Sequence, residues 1–192
     1  MKTLDEIALD EKEFETDKSS KYHDYMRRYE PFLESLRPAH IRLLEIGVNM
    51  GASILAWLKY FPNAHVFGVD IEPRTRPNHD RYTFVRGDQS KPDFWERFTQ
   101  DHPGKFDVII DDGGHTSGQI ITSFTMHWPH VVHGGVYAIE DLACAYTPDC
   151  LTPGFINHMD FLLGLMHHIN QGHLEIDSLT FSKELAIFRK QA

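Results

Sequence analysis

The sequence lacks long apolar runs and basic clusters. No apolar run approaches the roughly 20 residues that a membrane helix needs. The start, MKTLDEIALDEKEF, has no apolar segment of the kind that a secretory signal carries. These absences predict a cytoplasmic protein that does not bind membranes. The formal net charge is −9 and Lys and Arg are scattered, so we expect no nucleic-acid partner.

Cysteine is scarce, since Cys144 and Cys150 are the only two among 192 residues. A disulfide and a metal knuckle are both open readings of so close a pair. For a cytoplasmic protein we expect two unlinked thiols.

Two common nucleotide-binding motifs are also missing. The dinucleotide fingerprint G-x-G-x-x-G fails because Val48 and Asn49 follow Gly47. The Walker pattern fails because no Lys-Ser/Thr pair follows Gly51. NAD and ATP are therefore disfavoured as ligands.

Strand-like and helix-like segments alternate along most of the chain, which predicts an α/β, Rossmann-like fold with helices on both faces of a mostly parallel sheet. The last segment predicts two antiparallel strands joined near Ser182-Lys183. Residues 1–20 are expected to be a mobile start, and the helical segment after them is expected to be interrupted at Pro31. The strand-like runs are IRLLEIGV, HVFGVDI, YTFVRGD, FDVIIDDGG and VYAIEDL.

Acidic residues stand at the ends of the first three strands. Glu45 opens the pattern E-x-G-x-x-x-G, Asp70 ends the second strand, and Asp88 follows the third. An Asp at a strand end is often a turn or helix cap. Three in succession favour a ligand site, with Asp70 accepting hydrogen bonds from ribose hydroxyls and Asp88 near an adenine edge.

A second group of polar residues follows the fourth and fifth strands: Asp111, Asp112, His115, Glu140 and Asp141. Neighbouring strands lie about 5 Å apart, so these carboxylates converge and would repel one another without a cation. Mg²⁺ prefers oxygen ligands and fits this group. Adjacent strand residues face opposite sides, so Asp111 or Asp112, but not both, is expected to face the metal. His115 is placed to act as a general base, although capping and packing roles remain the alternatives.

The segments LLEIGVNMGAS, VFGVDIEP, RGDQS and FDVIIDDGGH resemble the motifs of class I S-adenosylmethionine (SAM) methyltransferases. The resemblance implies a seven-stranded sheet with an antiparallel C-terminal strand. It also implies a helical N-terminal segment over residues 1–37 and a SAM-binding domain over residues 38–192. The implied cofactor residues are Glu45, Gly47, Asn49, Gly51, Ser53, Asp70, Asp88, Gln89 and Asp111.

DDGGH, GGVYAIEDL and TDKSSKYHDYMRRYEPF resemble the metal-dependent sugar O-methyltransferases of macrolide biosynthesis, of the mycinamicin 2''-O-methyltransferase type. That resemblance implies Mg²⁺ held by Asp112, Glu140 and Asp141, with His115 as the general base. The implied reaction transfers a methyl group from SAM to a sugar hydroxyl of a natural product or glycan. A catechol acceptor and a non-catalytic SAM- or nucleotide-binding module are the alternatives.

Residues 143–160 lack a clear period and predict a substrate loop over the metal. Lys18, Tyr22 and His23 are expected near the SAM pocket. A homo-oligomer is expected, and HMDFLLGLMHHI predicts a helix whose apolar face packs in the core or forms a dimer surface. Four residues are candidates for substrate contact: Tyr146, Phe155, His158 and Tyr22.

Overall fold

One mixed sheet organises the chain. The computed structural model describes residues 1–10, 16–72 and 77–192. The strand order is 3-2-1-4-5-7-6. The first five strands are parallel, and the seventh runs antiparallel to both of its neighbours. The predicted sheet with its antiparallel C-terminal strand is therefore confirmed. The strands are β1 (Arg42–Ile46), β2 (His65–Asp70), β3 (Tyr82–Arg86), β4 (Phe106–Asp111), β5 (Val131–Ile139), β6 (Ile176–Ser182) and β7 (Leu185–Lys190).

Helices cover both faces of this sheet. Adjacent residues of β1 show the division, because Leu43 packs in one hydrophobic cluster and Leu44 in the other. Strands that are buried on both faces need apolar side chains on both, which explains why the strand segments of this sequence are nearly continuous apolar runs. The first three helices share the cluster of Leu43 and the last three share that of Leu44. The helices are α1 (Leu4–Asp10), α2 (Tyr25–Leu33), α3 (Ala52–Tyr60), α4 (Pro92–Asp101), α5 (Ser117–His127) and α6 (His158–Gln171).

Backbone hydrogen bonds align the carboxyl ends of four strands. The N–H of Gly47 donates to the carbonyl of Val69 at 2.8 Å, and the N–H of Asp112 donates to the carbonyl of Ile46 at 2.8 Å. The N–H of Glu140 donates to the carbonyl of Asp111 at 2.9 Å. The residues that follow β1, β4 and β5 therefore meet along one rim of the sheet.

The N-terminal region differs from its prediction. Residues 4–10 form α1 rather than a mobile start, because Leu4, Ile7 and Ala8 share one helical face and are buried. Residues 11–15 lie outside the described ranges. Pro31 does not split the following helix: it lies in the last turn of α2, which runs on to Leu33 before a 3₁₀ turn at Glu34–Leu36. The division at residue 37 stays a prediction.

The two cysteines are not unlinked thiols, and that expectation was wrong. Two 3₁₀ turns, Leu142–Tyr146 and Pro148–Cys150, fold the chain back after β5. They bring Cys144 and Cys150 to a Cα–Cα distance of 5.7 Å, where they form a disulfide. In the ranges that the structure describes, every helix is too short or too polar to cross a membrane. Part of the predicted Pro-rich loop after β2, residues 73–76, lies outside those ranges.

Candidate active site

A cavity of about 750 Å³ opens at the carboxyl ends of the parallel strands. Six of the nine predicted cofactor residues line it, and these are Gly47, Asn49, Ser53, Asp70, Asp88 and Gln89. Glu45, Gly51 and Asp111 do not line it. The rim opposite the β2 end carries Asp112, His115 and Asp141. A cofactor-sized space and a group of charged side chains therefore share one opening.

The loop after β1 lies directly against the backbone at the end of β4. Gly47 has φ +85°, and a Cβ there would lie 2.0 Å from the carbonyl oxygen of Asp112. The Asp70 carboxylate pins the same loop, because its Oδ2 accepts hydrogen bonds from the N–H groups of Val48 and Asn49, both at 2.9 Å. The loop lacks the second glycine of the dinucleotide fingerprint. Its conformation is fixed instead by hydrogen bonds to the side chain of Asp70, at the end of the neighbouring strand β2.

Glu45 lies behind this loop and is fully buried. Its Oε2 accepts hydrogen bonds from Ser53 Oγ at 2.9 Å and Trp57 Nε1 at 3.2 Å. Its Oε1 accepts no hydrogen bond from the described residues, and it lies 3.7 Å from Lys18 Nζ. Burial raises the pKa of Glu45 to about 7. Glu45 therefore ties the start of α3 to the cavity floor and keeps one oxygen for a cationic donor.

Asp111 faces away from the metal candidates, as the alternation of strand residues requires. Gln89 Nε2 donates to Asp111 Oδ1 at 3.0 Å, and Gln89 Oε1 accepts from the N–H of Gly114 at 2.7 Å. Burial raises the pKa of Asp111 to about 7. Asp111 thus holds the Gln89 side chain at the cavity wall, while Asp88 accepts from the N–H of Ser90 at 2.9 Å.

Three side chains at the rim lie close enough together that they could hold a cation. The ligand atoms of Asp112, His115 and Asp141 lie within 4.8 Å of one another. His115 Nε2 is 3.5 Å from Asp141 Oδ2 and 3.9 Å from Asp112 Oδ1. His115 and Asp141 both have positive φ, at 56° and 55°, a backbone conformation that is costly for such residues and concentrates at functional sites. The side chain of Tyr25 donates to Asp141 Oδ1 at 2.8 Å and orients that carboxylate.

Glu140, the third predicted metal ligand, lies outside this group and is buried. Its Oε1 accepts from Tyr29 OH and its Oε2 from Lys18 Nζ, each at 2.6 Å. Burial raises the pKa of Glu140 well above its usual value. The structure therefore gathers two of the three predicted carboxylates and turns the third toward α2.

Lys18 connects the cofactor side of the cavity to the metal side. Its ammonium group contacts Glu45, Asp112 and Glu140, and its side chain is only 2% exposed. Burial lowers the pKa of Lys18, but attraction to the three carboxylates outweighs this effect and raises it well above the usual value. A buried charge is tolerable only when it is paired in this way.

The predicted substrate residues do not reach the cavity. His158 is buried: its Nδ1 lies 3.1 Å from Ser117 Oγ and its Nε2 lies 3.4 Å from the carbonyl of Leu142. These two contacts hold the loop after β5 against α5. Burial lowers the pKa of His158. Tyr22, Tyr146 and Phe155 are exposed and line no part of the cavity.

Three residues that contact the site, Tyr25, Tyr29 and Gln119, were not predicted from the sequence. Tyr25 and Tyr29 lie one turn apart on α2, and that spacing indicated only an apolar face. Gln119 closes a capping box with Thr116 and lines the cavity, and the T-x-x-Q spacing was available as a signal. Lys18 was expected near the pocket, and it lies there with Thr16 and Asp17. Tyr22 lines no part of the cavity, whereas His23 lies at its edge, where a ring nitrogen is within 4.8 Å of carboxylate oxygens of Asp141 and Glu184.

Comparisons with known proteins agree with this geometry. The family described as a methyltransferase domain matches residues 44–142. The L-olivosyl-oleandolide 3-O-methyltransferase of Streptomyces antibioticus is 38% identical over 152 residues, which cover 76% of this chain and 38% of that protein. The mycinamicin VI 2''-O-methyltransferase of Micromonospora griseorubida is 34% identical over 140 residues, 69% of this chain and 35% of that protein.

A solved structure extends the match to almost the whole chain. The MycE methyltransferase of the mycinamycin biosynthetic pathway, in complex with Mg and S-adenosylhomocysteine (SAH), superimposes with a TM-score of 0.89 at 28% identity. The match covers 99% of this chain and 55% of that one. The chain thus spans little more than half the length of this structure, and its matches span well under half of the curated relatives.

Proposed function

This chain belongs to the methyltransferase-domain family, and we propose that it transfers a methyl group from SAM to a sugar hydroxyl with the help of Mg²⁺. The observation that carries the proposal is the shared cavity, in which the Gly47 loop and Asp70 face the Asp112–His115–Asp141 group. The name of the Streptomyces antibioticus relative specifies an L-olivosyl group, which is a sugar, and this favours a sugar acceptor over a catechol. We further propose a cytoplasmic homo-oligomer with a small glycoside as acceptor.

The residues of the cofactor side suit SAM. Asp70 holds the loop and retains lone pairs for ribose hydroxyls. Asp88 and Gln89 stand at the end of β3, where the adenine would lie. Glu45 is buried and does not line the cavity, so it would act on the methionine part indirectly, by holding Ser53, which does line it. Gly51 is the N-cap residue of α3 and Asp111 holds Gln89, so these two would also act indirectly.

The residues of the metal side suit Mg²⁺. Asp112 and Asp141 would hold the cation through carboxylate oxygens, the donors that it prefers. Glu140 is the third predicted ligand and would complete the set only through lone pairs that Lys18 and Tyr29 leave free. When bound, the cation lowers the pKa of an acceptor hydroxyl and orients it.

His115 is the proposed general base. Its Nε2 accepts the hydroxyl proton, and the resulting imidazolium is stabilised by Asp141 and Asp112 at 3.5 and 3.9 Å. When bound, SAM would supply its sulfonium methyl to the deprotonated acceptor oxygen, with the electron pair of the broken C–S bond staying on sulfur, and the Gly47 loop and Asp70 would hold it for that transfer. Positioning by the two halves of the cavity supplies much of the rate.

Calorimetry with SAH tests the proposal first. We expect binding of SAH and none of NAD⁺, each titrated in Mg²⁺ and in EDTA. Asp141→Asn is expected to abolish methyl transfer to a panel of glycosides while SAH still binds, whereas the exposed control Asp101→Asn keeps both. Failure of SAH to bind in either metal condition would refute the methyltransferase assignment. Equal transfer to catechols and glycosides would refute the sugar assignment alone.

A further inference from the structure

The ammonium group of Lys18 lies where three strand ends meet. Glu45 belongs to β1, Asp112 follows β4 and Glu140 follows β5, and each directs one carboxylate oxygen at this group. Glu140 Oε2 lies 2.6 Å and Glu45 Oε1 lies 3.7 Å from the nitrogen, and Asp112 Oδ2 accepts a hydrogen bond from it. An ammonium group has three N–H donors and no acceptor, so a set of three carboxylates suits it.

The two oxygens of the Asp112 carboxylate have different neighbours. Oδ2 accepts from Lys18 Nζ, whereas Oδ1 lies 3.9 Å from His115 Nε2, within the Asp112–His115–Asp141 group. In the described part of the chain, Lys18 is the one side chain that donates a hydrogen bond to this carboxylate. The ammonium group therefore sets the rotation of Asp112 and turns Oδ1 toward His115.

Asp141, on the other side of the same group, is held in a similar manner. Tyr25 OH donates to its Oδ1 at 2.8 Å, and its Oδ2 lies 3.5 Å from His115 Nε2. Each of the two carboxylates thus gives one oxygen to an orienting donor and the other to the side of His115, where the cation would lie. Partners of this kind orient metal ligands, and their loss typically costs about 10–100-fold in metal affinity.

Lys18 is itself fixed well enough to orient another side chain. Its ammonium stem is almost fully buried. Its carbonyl accepts from the N–H of Met26 at 3.0 Å, and its N–H donates to Thr16 Oγ1 at 3.3 Å. A side chain that is buried and anchored in this way has already lost its conformational freedom on folding. Holding Asp112 in place therefore costs little further entropy when a cation binds.

We infer that Lys18 is a positioning residue of the metal site, which strengthens Mg²⁺ binding although its own charge repels the cation. The inference rests on the proposed function, since it takes Mg²⁺ as the cation of the Asp112–His115–Asp141 group. Loss of the ammonium group has two effects of opposite sign. Mg²⁺ is no longer repelled by a neighbouring positive charge. However, Glu140 and Glu45 then repel Asp112, and its Oδ1 is no longer held toward the cation, so the net effect is weaker binding.

Calorimetric titration with Mg²⁺ tests the inference, because the two effects predict opposite results. We expect Lys18→Met to bind Mg²⁺ about 10–100-fold more weakly than wild type. Lys105→Met removes an exposed positive charge and should bind as wild type does. Tyr25→Phe removes the corresponding donor to Asp141 and should also weaken Mg²⁺ binding. Circular dichroism confirms that each variant is folded. Unchanged or tighter binding of Mg²⁺ by folded Lys18→Met would overturn the inference.

Amine labelling of the wild-type protein is a second test, and it does not require a variant to fold. Formaldehyde with a borohydride reductant methylates accessible lysines, and peptide mass spectrometry locates them. Lys18 is expected to resist methylation equally in Mg²⁺ and in EDTA, whereas Lys105 is methylated in both. Methylation of Lys18 in Mg²⁺ alone would mean that the cation displaces the ammonium group, and methylation in both conditions would mean that it is not buried. Either result would overturn the inference.

The same titrations separate this inference from the methyltransferase assignment. A wild-type chain that binds SAH but not Mg²⁺ would overturn the role of Lys18 and leave the cofactor assignment intact. Mg²⁺ binding that depends on Lys18, in a chain that does not bind SAH, would support the role of Lys18 and refute the methyltransferase assignment alone.

Discussion

His127, at the end of α5, should add a pH dependence of its own to the stability of this protein, opposite in sense to that of the buried carboxyl groups of Glu45 and Asp111, whose pKa values are raised. Its ring is fully buried, and neither ring nitrogen has a hydrogen-bond partner among the described residues. Trp95 packs edge-on against it at 4.3 Å, and Phe98 and Phe106 complete an aromatic shell. Burial, and to a lesser extent His130, lowers the pKa of His127 from 6.5 to about 3.

The sign and size of the effect follow from these two pKa values. Below pH 6.5 the unfolded chain takes up a proton at His127, whereas the folded chain does so only near pH 3. The contribution of His127 to the free energy of unfolding therefore decreases progressively as the pH falls from 6.5. At pH 5 the difference spans 1.5 pH units at about 1.36 kcal/mol each, which gives about 2 kcal/mol of lost stability. Above pH 7.5 the contribution is close to zero.

His127→Phe removes the titration and keeps an aromatic ring in the shell. Urea unfolding followed by tryptophan fluorescence, at pH values from 8 to 5, measures the free energy of unfolding of both proteins. The variant is expected to gain about 2 kcal/mol relative to wild type between pH 8 and pH 5, whatever constant offset the larger ring introduces. Met166→Phe, at an exposed position of α6, changes no titratable group and should show no such gain. Parallel pH profiles for wild type and His127→Phe would refute the reasoning.

Three further substitutions probe the cavity. Gly47→Ala sets a Cβ 2.0 Å from the Asp112 carbonyl at a positive φ, so we expect calorimetry to show SAH affinity lowered at least about 100-fold. Lys18→Met leaves the buried carboxylates of Glu45 and Glu140 and the partly exposed Asp112 without their cation, and should lower the free energy of urea unfolding by about 3–5 kcal/mol. Lys105→Met, at an exposed position, should show no such loss. Thr116→Ala removes the capping box of α5 and should cost about 1 kcal/mol in the same assay.

The sheet and the position of the site were predictable from local sequence because both depend on simple periodicities. Buried parallel strands give continuous apolar runs, and the residues that end such strands meet at one rim. Asp70, Asp112 and Asp141 are each the last residue of a strand or one of the next two. Their convergence follows from strand order alone, without knowledge of any side-chain contact.

The network around Lys18 could not be predicted in the same way. Lys18 meets Asp112 and Glu140 across 94 and 122 residues of sequence, and such contacts depend on how α2 settles on the sheet. Asp141 lines the cavity and Glu140 does not, and the left-handed backbone at Asp141 that accompanies this difference is predicted by no local pattern. The disulfide depends likewise on two 3₁₀ turns in a segment without a period. The α1 helix could have been predicted, because Leu4, Ile7 and Ala8 have the spacing of one helical face.

The loop after β1 and the rim that carries Asp112 are in direct contact, so they are expected to move together during the proposed reaction. The Gly47 loop touches the backbone of Asp112, and Asp112 also contacts the Lys18 ammonium that faces Glu45. A shift of the cofactor loop by even a fraction of an ångström must therefore be transmitted to a carboxylate at the metal rim, because packed interiors resist independent displacement. Reacting atoms must approach within about 3–3.5 Å and in line for methyl transfer. A fold that fixes the loop and the rim to each other meets this requirement through its backbone, and leaves the identity of the acceptor to the surfaces around the opening.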